Sequence, residues 1–230
     1  MVLFDIDGTL VSSRKMEYDE GQRYIKAIRD VTGKDVVVSP SRFAGMIDPQ
    51  ICRVILSENG FSEKAQEHVL PRVILRMGEI YKSMAKTVVL NTGVRELLQI
   101  LSTSQLHVLG ILTGNVSSVG EEKLSVAGIR SYFADRFYAD SCFDRSMLAE
   151  EAVEACVDRY GLPSRENVLI VGDTPLDVEC AINAKAKSVG IASGVYSIED
   201  LSKAGADSVF LDLSPSKELL STLGFGTADC

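Results

Sequence analysis

Asp5 and Asp7 stand two residues apart at the end of an apolar run, Val2-Leu3-Phe4, and Gly8 follows them. Val2 to Ile6 reads as a buried strand, and side chains two apart on a strand share a face. Two carboxylates so placed repel unless a cation or a proton compensates them. A hard cation such as Mg²⁺ prefers oxygen ligands. A calcium loop does not fit, because the twelfth position counted from Asp5 is Met16 rather than Glu. A second apolar run ends the same way: Val168-Leu169-Ile170-Val171 leads into Gly172-Asp173-Thr174-Pro175-Leu176-Asp177. Asp177, four residues after Asp173, can face the same point. Either acid alone also reads as a helix cap, with Pro175 at the first helical position. In a third run, Val108 to Leu112 leads into Thr113-Gly114-Asn115. A hydroxyl there, followed by a glycine turn and a helix start, can hold a phosphate with its oxygen and backbone N–H groups. Thr before Gly is also a common turn.

Parallel strands would place these residues together, since open α/β sheets form sites outside the carboxyl ends of their strands. Five β-rich runs are present: Val2 to Ile6, Val108 to Leu112, Phe137 to Ala139, Val168 to Val171 and Val189 to Ala192, with Ser208 to Leu211 as a weaker sixth. Most are continuous rather than alternating, as strands buried on both faces are. Helical patterns separate them. Val94, Leu97, Leu98 and Leu101 share a face, as do Met147, Leu148, Val153, Cys156, Val157 and Tyr160, before the stops Gly161 and Pro163. The fold class predicted is α/β, a Rossmann-like parallel sheet core. About a hundred residues separate the first two strands, far more than one crossover needs. Within them Tyr24, Ile25, Ile28 and Val31 form one helical face, and Leu70, Val73, Ile74, Met77, Ile80, Tyr81 and Met84 another. Phe61, Ala65 and Val69 extend the second. Residues 14–86 therefore read as an inserted all-helical domain, with 1–13 and 87–230 forming the core. The other reading packs these helices directly on the sheet.

Composition narrows the function. The 230 residues carry 24 Lys and Arg against 32 Asp and Glu, a net charge of −8. An acidic chain is a poor general binder of nucleic acid or of anionic membranes. Five cysteines, none in a CxxC spacing, read as reduced thiols of a cytoplasmic protein. The isolated His68 and His107 argue against an imidazole metal cluster and against a Ser-His-Asp triad; His107, opening an apolar run, reads as structural. Neither GxxxxGK[ST] nor GxGxxG occurs. Residues 14–86 hold 13 basic and 10 acidic residues, so the acidic excess belongs to the remainder.

Taken together, Asp5-Ile6-Asp7-Gly8-Thr9-Leu10, Leu112-Thr113-Gly114-Asn115 and Gly172-Asp173-Thr174-Pro175-Leu176-Asp177 resemble motifs of the haloacid dehalogenase superfamily. Within it, the chain is similar to phosphoglycolate-phosphatase-like members, over nearly its whole length. The helical insert would be the family's mobile cap, and Gly45-Met46-Ile47-Asp48-Pro49 looks like a family cap segment. The resemblance implies a phosphoric monoester hydrolase acting on a small phosphorylated metabolite through an aspartyl-phosphate. Asp5 would be the nucleophile and Asp7 the general acid and base. The Asp5 carboxylate, the Asp7 backbone carbonyl, Asp173 and Asp177 would hold Mg²⁺. Gly8, Thr9, Thr113, Gly114 and Asn115 would bind the phosphoryl group. The family usually supplies a lysine before the fourth strand, whereas here Asp140 to Leu148 contains none. Arg145 is the best stand-in, for catalysis and substrate binding; a surface residue at a helix start is its other reading. Two rivals remain: a phosphoglucomutase-like phosphotransferase, although the cap's first segment Arg14-Lys15-Met16-Glu17-Tyr18 offers no histidine, and a non-catalytic binding module. Asp7 argues against a dehalogenase. The substrate and the oligomeric state stay open.

Overall fold

The strands of this computed structural model are short, most are apolar, and all pair in parallel. The structure describes residues 1–12, 21–37, 43, 45–83, 88–103, 107–142 and 144–225. The strands are β1 (Val2–Phe4), β2 (Leu109–Leu112), β3 (Asp135–Phe137), β4 (Leu169–Gly172), β5 (Lys187–Ile191) and β6 (Ser208–Phe210), in the order β3-β2-β1-β4-β5-β6. This order reverses direction at β1, the switch point where doubly wound sheets bind ligands. Phe4 is level with Ile111 on one side and Val171 on the other. The residues just past β1, β2 and β4 therefore emerge at one edge.

Side-chain alternation explains the layers. Val2, Phe4, Leu109, Ile111 and Val171 join one core cluster with Val94, Leu97, Leu98 and Leu101 of α4 (Val94–Thr103). Leu3, Leu112 and Ile170 join the opposite one with Leu148, Ala149, Val153 and Cys156 of α6 (Arg145–Tyr160) and Ala181 of α7 (Pro175–Ala184). Helix α5 (Ser117–Val126) follows β2, while α8 (Ile198–Lys203) and α9 (Lys217–Thr222) complete the core. Full burial of one such Leu or Phe is worth about 1.5–3 kcal/mol.

Between β1 and β2 lie α1 (Gly21–Thr32), α2 (Asp48–Glu58) and α3 (Glu63–Ser83). They surround a third cluster that includes Tyr24, Ile28, Ile55, Leu70, Val73, Met77 and Tyr81 and is joined by Val116 and Val119 of the core, while Ile47 packs into the cluster of Leu3 and Leu148. The anticipated faces of α1 and α3 hold; Met84, Arg14 to Tyr18 and the boundaries at 13/14 and 86/87 lie outside the described residues.

Two readings change. The third strand is Asp135–Phe137 rather than Phe137 to Ala139. Its charged start was hidden in the sequence because the Asp135 carboxylate is paired with Arg159 and the Tyr160 hydroxyl of α6. Met147 is 59% exposed, so it does not belong to the buried face of α6. Asp144 caps that helix by accepting from the Ser146 and Met147 N–H groups at 2.8 and 3.1 Å, and Gly161 ends it at φ 60°. His107 is structural as expected, stacked on Phe225 and within 3.1 Å of the Leu223 carbonyl. Among the described residues, no helix is long and apolar enough to cross a membrane.

Candidate active site

Asp5 follows β1, Thr113 follows β2 and Asp173 follows β4, so the sheet register alone brings three sequence-predicted residues to one edge. The Asp5 N–H still donates to the Val171 carbonyl at 2.9 Å, which fixes where its side chain starts. The chain then turns sharply. Leu10 and Val11 both donate to the Ile6 carbonyl, and Gly8 sits at φ +87°. The Gly8 carbonyl accepts from Asn91 Nδ2 and Ser193 Oγ, each at 2.7 Å.

Asp5, Asp173 and Asp177 form a buried group whose ligand oxygens lie within 4.8 Å of one another. Arg145 is buried beside them, 3.4 Å from Asp5 and paired with Asp177. The reading of Arg145 as a surface residue is therefore overturned. Asp177 satisfies both sequence readings at once: its carboxylate accepts from the Thr174 N–H at 3.0 Å in a capping box, and it also faces the acidic group. Burial pushes the Asp5 carboxyl up to about 7, Asp177 and Asp7 add to the rise, and Arg145 opposes it. Burial likewise holds Asp173 well above the usual carboxylate range, with Asp177 and Asp5 adding to it. Once all three are ionised, three carboxylates against one guanidinium leave two negative charges uncompensated, and without a cation burial answers that by holding protons on Asp5 and Asp173. An all-oxygen donor set with that deficit fits one hard divalent cation.

The side chain of Asp7 does not join this group. The strand ends at Phe4, so the strand alternation expected to bring Asp5 and Asp7 onto one face is lost before Asp7. Its carboxylate instead meets Lys123 Nζ at 2.7 Å from both oxygens, and Asn115 Nδ2 at 2.6 Å. Burial pushes the Asp7 carboxyl up, but Lys123 and Asn115 outweigh it and hold it below the usual value. Asn115 Nδ2 also donates to Thr113 Oγ1 at 2.9 Å. Thr9 is buried with its hydroxyl 3.3 Å from Asp173, so its side chain supports that carboxylate.

Sequence reasoning missed Lys123; it singled out Asp48 in the segment Gly45 to Pro49 and Tyr24 on a helical face, but missed Arg23 and the cluster the three form. Asp48 accepts from Arg23 at 2.8 Å and from the Tyr24 hydroxyl at 2.5 Å, and its other oxygen accepts from the Val116 N–H at 2.9 Å. The signal for Lys123 was its place in the series Val116, Val119, Gly120, Lys123, Leu124, an apolar helical face holding one charge.

The model of haloacid dehalogenase-like hydrolases matches residues 2–191. The chain belongs to this family. Within it, a Clostridium perfringens protein provisionally named the pyrophosphatase PpaX is 23% identical over 206 residues, covering 90% of each chain. A solved structure described as a predicted phosphoglycolate phosphatase from Haemophilus somnus superposes with a TM-score of 0.67 at 19% identity, covering 93% of this chain and 94% of that one. A β-phosphoglucomutase from Clostridium difficile gives 0.69 at 16% identity, covering 96% and 95%. At such identities the structural likeness speaks for the family's fold.

Proposed function

We propose that the chain is a Mg²⁺-dependent phosphatase that hydrolyses a small, phosphoglycolate-like phosphomonoester in the cytoplasm. The observation that carries this reading is the buried acidic group Asp5, Asp173 and Asp177, which when ionised is two charges short of neutrality with Arg145 counted. Asp5, Asp173, Asp177 and the Asp7 carbonyl would hold the ion, whose charge would relieve the repulsion between a carboxylate and a phosphate dianion.

The remaining work falls to the chain itself. Asp5 attacks phosphorus, forming an aspartyl-phosphate as the bond to the leaving oxygen breaks. Asp7, once protonated against the pull of Lys123 and Asn115, gives that oxygen its proton, then takes one from the water that hydrolyses the aspartyl-phosphate. Thr113 and the amides of Gly114 and Asn115, with the turn at Gly8 and Thr9, bind the phosphoryl oxygens. Arg145 aligns Asp5 through its 3.4 Å contact and reaches the insert by donating to the Gly45 carbonyl at 2.7 Å. Helices α1 to α3, within residues 14–86, act as the cap over this site.

The test is release of inorganic phosphate from 4-nitrophenyl phosphate and from a panel of phosphorylated metabolites. Asp5→Asn is expected to abolish it, and chelation is expected to silence the wild type until Mg²⁺ is restored. Undiminished turnover in either case overturns the corresponding assignment. A phosphotransferase reading draws on the fold likeness to β-phosphoglucomutase; isomerisation of a sugar phosphate without accumulating free phosphate would favour it.

A further inference from the structure

Lys123 is fully buried on α5, yet its partner carboxylate on Asp7 keeps 32% of its side chain exposed. A lysine normally buries its stem and leaves its ammonium in water. Here the ammonium is turned inward, 2.7 Å from each Asp7 oxygen and 3.2 Å from Asn115 Oδ1. The Tyr81 ring of α3 covers it from the insert, with its centroid 5.5 Å from Nζ. Burying an ammonium and ordering four methylenes is unfavourable. The arrangement makes sense when the carboxylate must be held at one place. Lys123 and Asn115 together grip Asp7 on its buried flank and leave the opposite flank open.

We propose that Lys123 is a positioning residue for the reaction, acting through Asp7 rather than on the substrate. This inference rests on the phosphatase reading and deepens it. As the bond from phosphorus to the leaving oxygen breaks, that oxygen keeps the electron pair and takes the proton from Asp7, while Asp5 forms the new bond to phosphorus. A carboxyl held by Lys123 and Asn115 meets that oxygen in one orientation.

The experiment compares an alkyl phosphomonoester that the wild type hydrolyses with 4-nitrophenyl phosphate, whose leaving group needs little protonation. Lys123→Met is expected to lower kcat on the alkyl ester about 100-fold and on the aryl ester less than about tenfold, with KM nearly unchanged on both. In an Asp7→Asn background the same substitution is expected to change either rate less than about twofold, because coupled residues are not additive. K123R, which keeps the charge, should recover part of the alkyl rate. Should Lys123→Met fail to fold by circular dichroism, Lys123→Gln, which keeps a hydrogen-bond donor, carries the same contrast. Equal losses on both esters, or a loss that persists without Asp7, overturn the proposal. A wild type inactive on every ester in the presence of Mg²⁺ overturns the phosphatase reading itself, and this inference with it.

Discussion

The carboxylate of Asp173 is wedged between two glycines. A Cβ on Gly8 would lie 2.1 Å from its Oδ2, and one on Gly194 would lie 1.7 Å from the same atom. Gly8 also needs its positive φ, but Gly194 is required by contact alone. Gly194→Ala must therefore displace Asp173 while leaving its carboxylate in place chemically. The expected outcome is at least a 100-fold loss of phosphate release together with weaker Mg²⁺ binding by calorimetry; retained Mg²⁺ affinity would contradict the placement of Asp173 at the metal. Asp5, Asp173 and Asp177 were legible in the sequence because each follows a buried strand or opens the next helix. Lys123 was not, because its meaning depends on a carboxylate 116 residues away. Nothing local distinguishes it from a solvated lysine except the apolar face it interrupts.

Helix α5 is tied to the segment around β3 by Glu121 and, at its start, by Ser117, whose N–H and hydroxyl donate to Asp140. Glu121 accepts from Arg136 Nε at 2.8 Å and from the Tyr138 hydroxyl at 2.9 Å, and it is paired with Arg130. Burial raises its carboxyl, but the Arg130 and Tyr138 hydrogen bonds and the Arg136 charge outweigh that and hold it below the usual value. A depressed carboxylate stabilises the fold at pH values above its unfolded pKa, and that contribution disappears as pH falls through the folded pKa. Glu121→Gln is therefore expected to lower Tm by about 2–4 °C at neutral pH, as for the loss of about 1 kcal/mol of hydrogen bonding. The gap between variant and wild type should close in acid, as a scan of Tm against pH would read. Elements of this kind were partly legible. The continuous apolar runs gave five strands nearly in place, whereas β3 begins with Asp135 and Arg136 and was displaced by two residues. A strand that opens on charge is invisible to periodicity when helix α6 supplies the partners.

At the level of the whole molecule, the stretch carrying α1 to α3 meets the sheet layers through polar contacts as well as through Val116 and Val119. Asp48 accepts from the Val116 N–H and donates its own N–H to the Gly114 carbonyl at 2.7 Å, while its carboxylate pairs with buried Arg23. Both side chains of this pair are about 95% or more buried. Asp48→Ala would strand the Arg23 charge away from water, an expected loss of about 3–5 kcal/mol in urea denaturation. Proteolysis should then cut first within α1 to α3; a loss under about 1 kcal/mol would show that Arg23 finds another partner. The helical stretch was legible from the chain length between the first two strands, and Asp48 stood in the singled-out segment Gly45 to Pro49, but its pairing with Arg23 was not, since the two lie 25 residues apart.

The place of β1 in the middle of the sheet also sets an order of events during synthesis. Val2 pairs with Leu109 and with Leu169, so the segment bearing Asp5 leaves the ribosome long before either neighbour exists. At translation rates of about 5–20 residues per second, the 167 positions to Leu169 take roughly ten to thirty seconds. During that interval an apolar strand and the carboxylate of Asp5 have no sheet to join. Helices α1 to α3 emerge first and can pack together locally, so the nascent chain would order these helices before the sheet that gathers Asp5, Asp173 and Asp177.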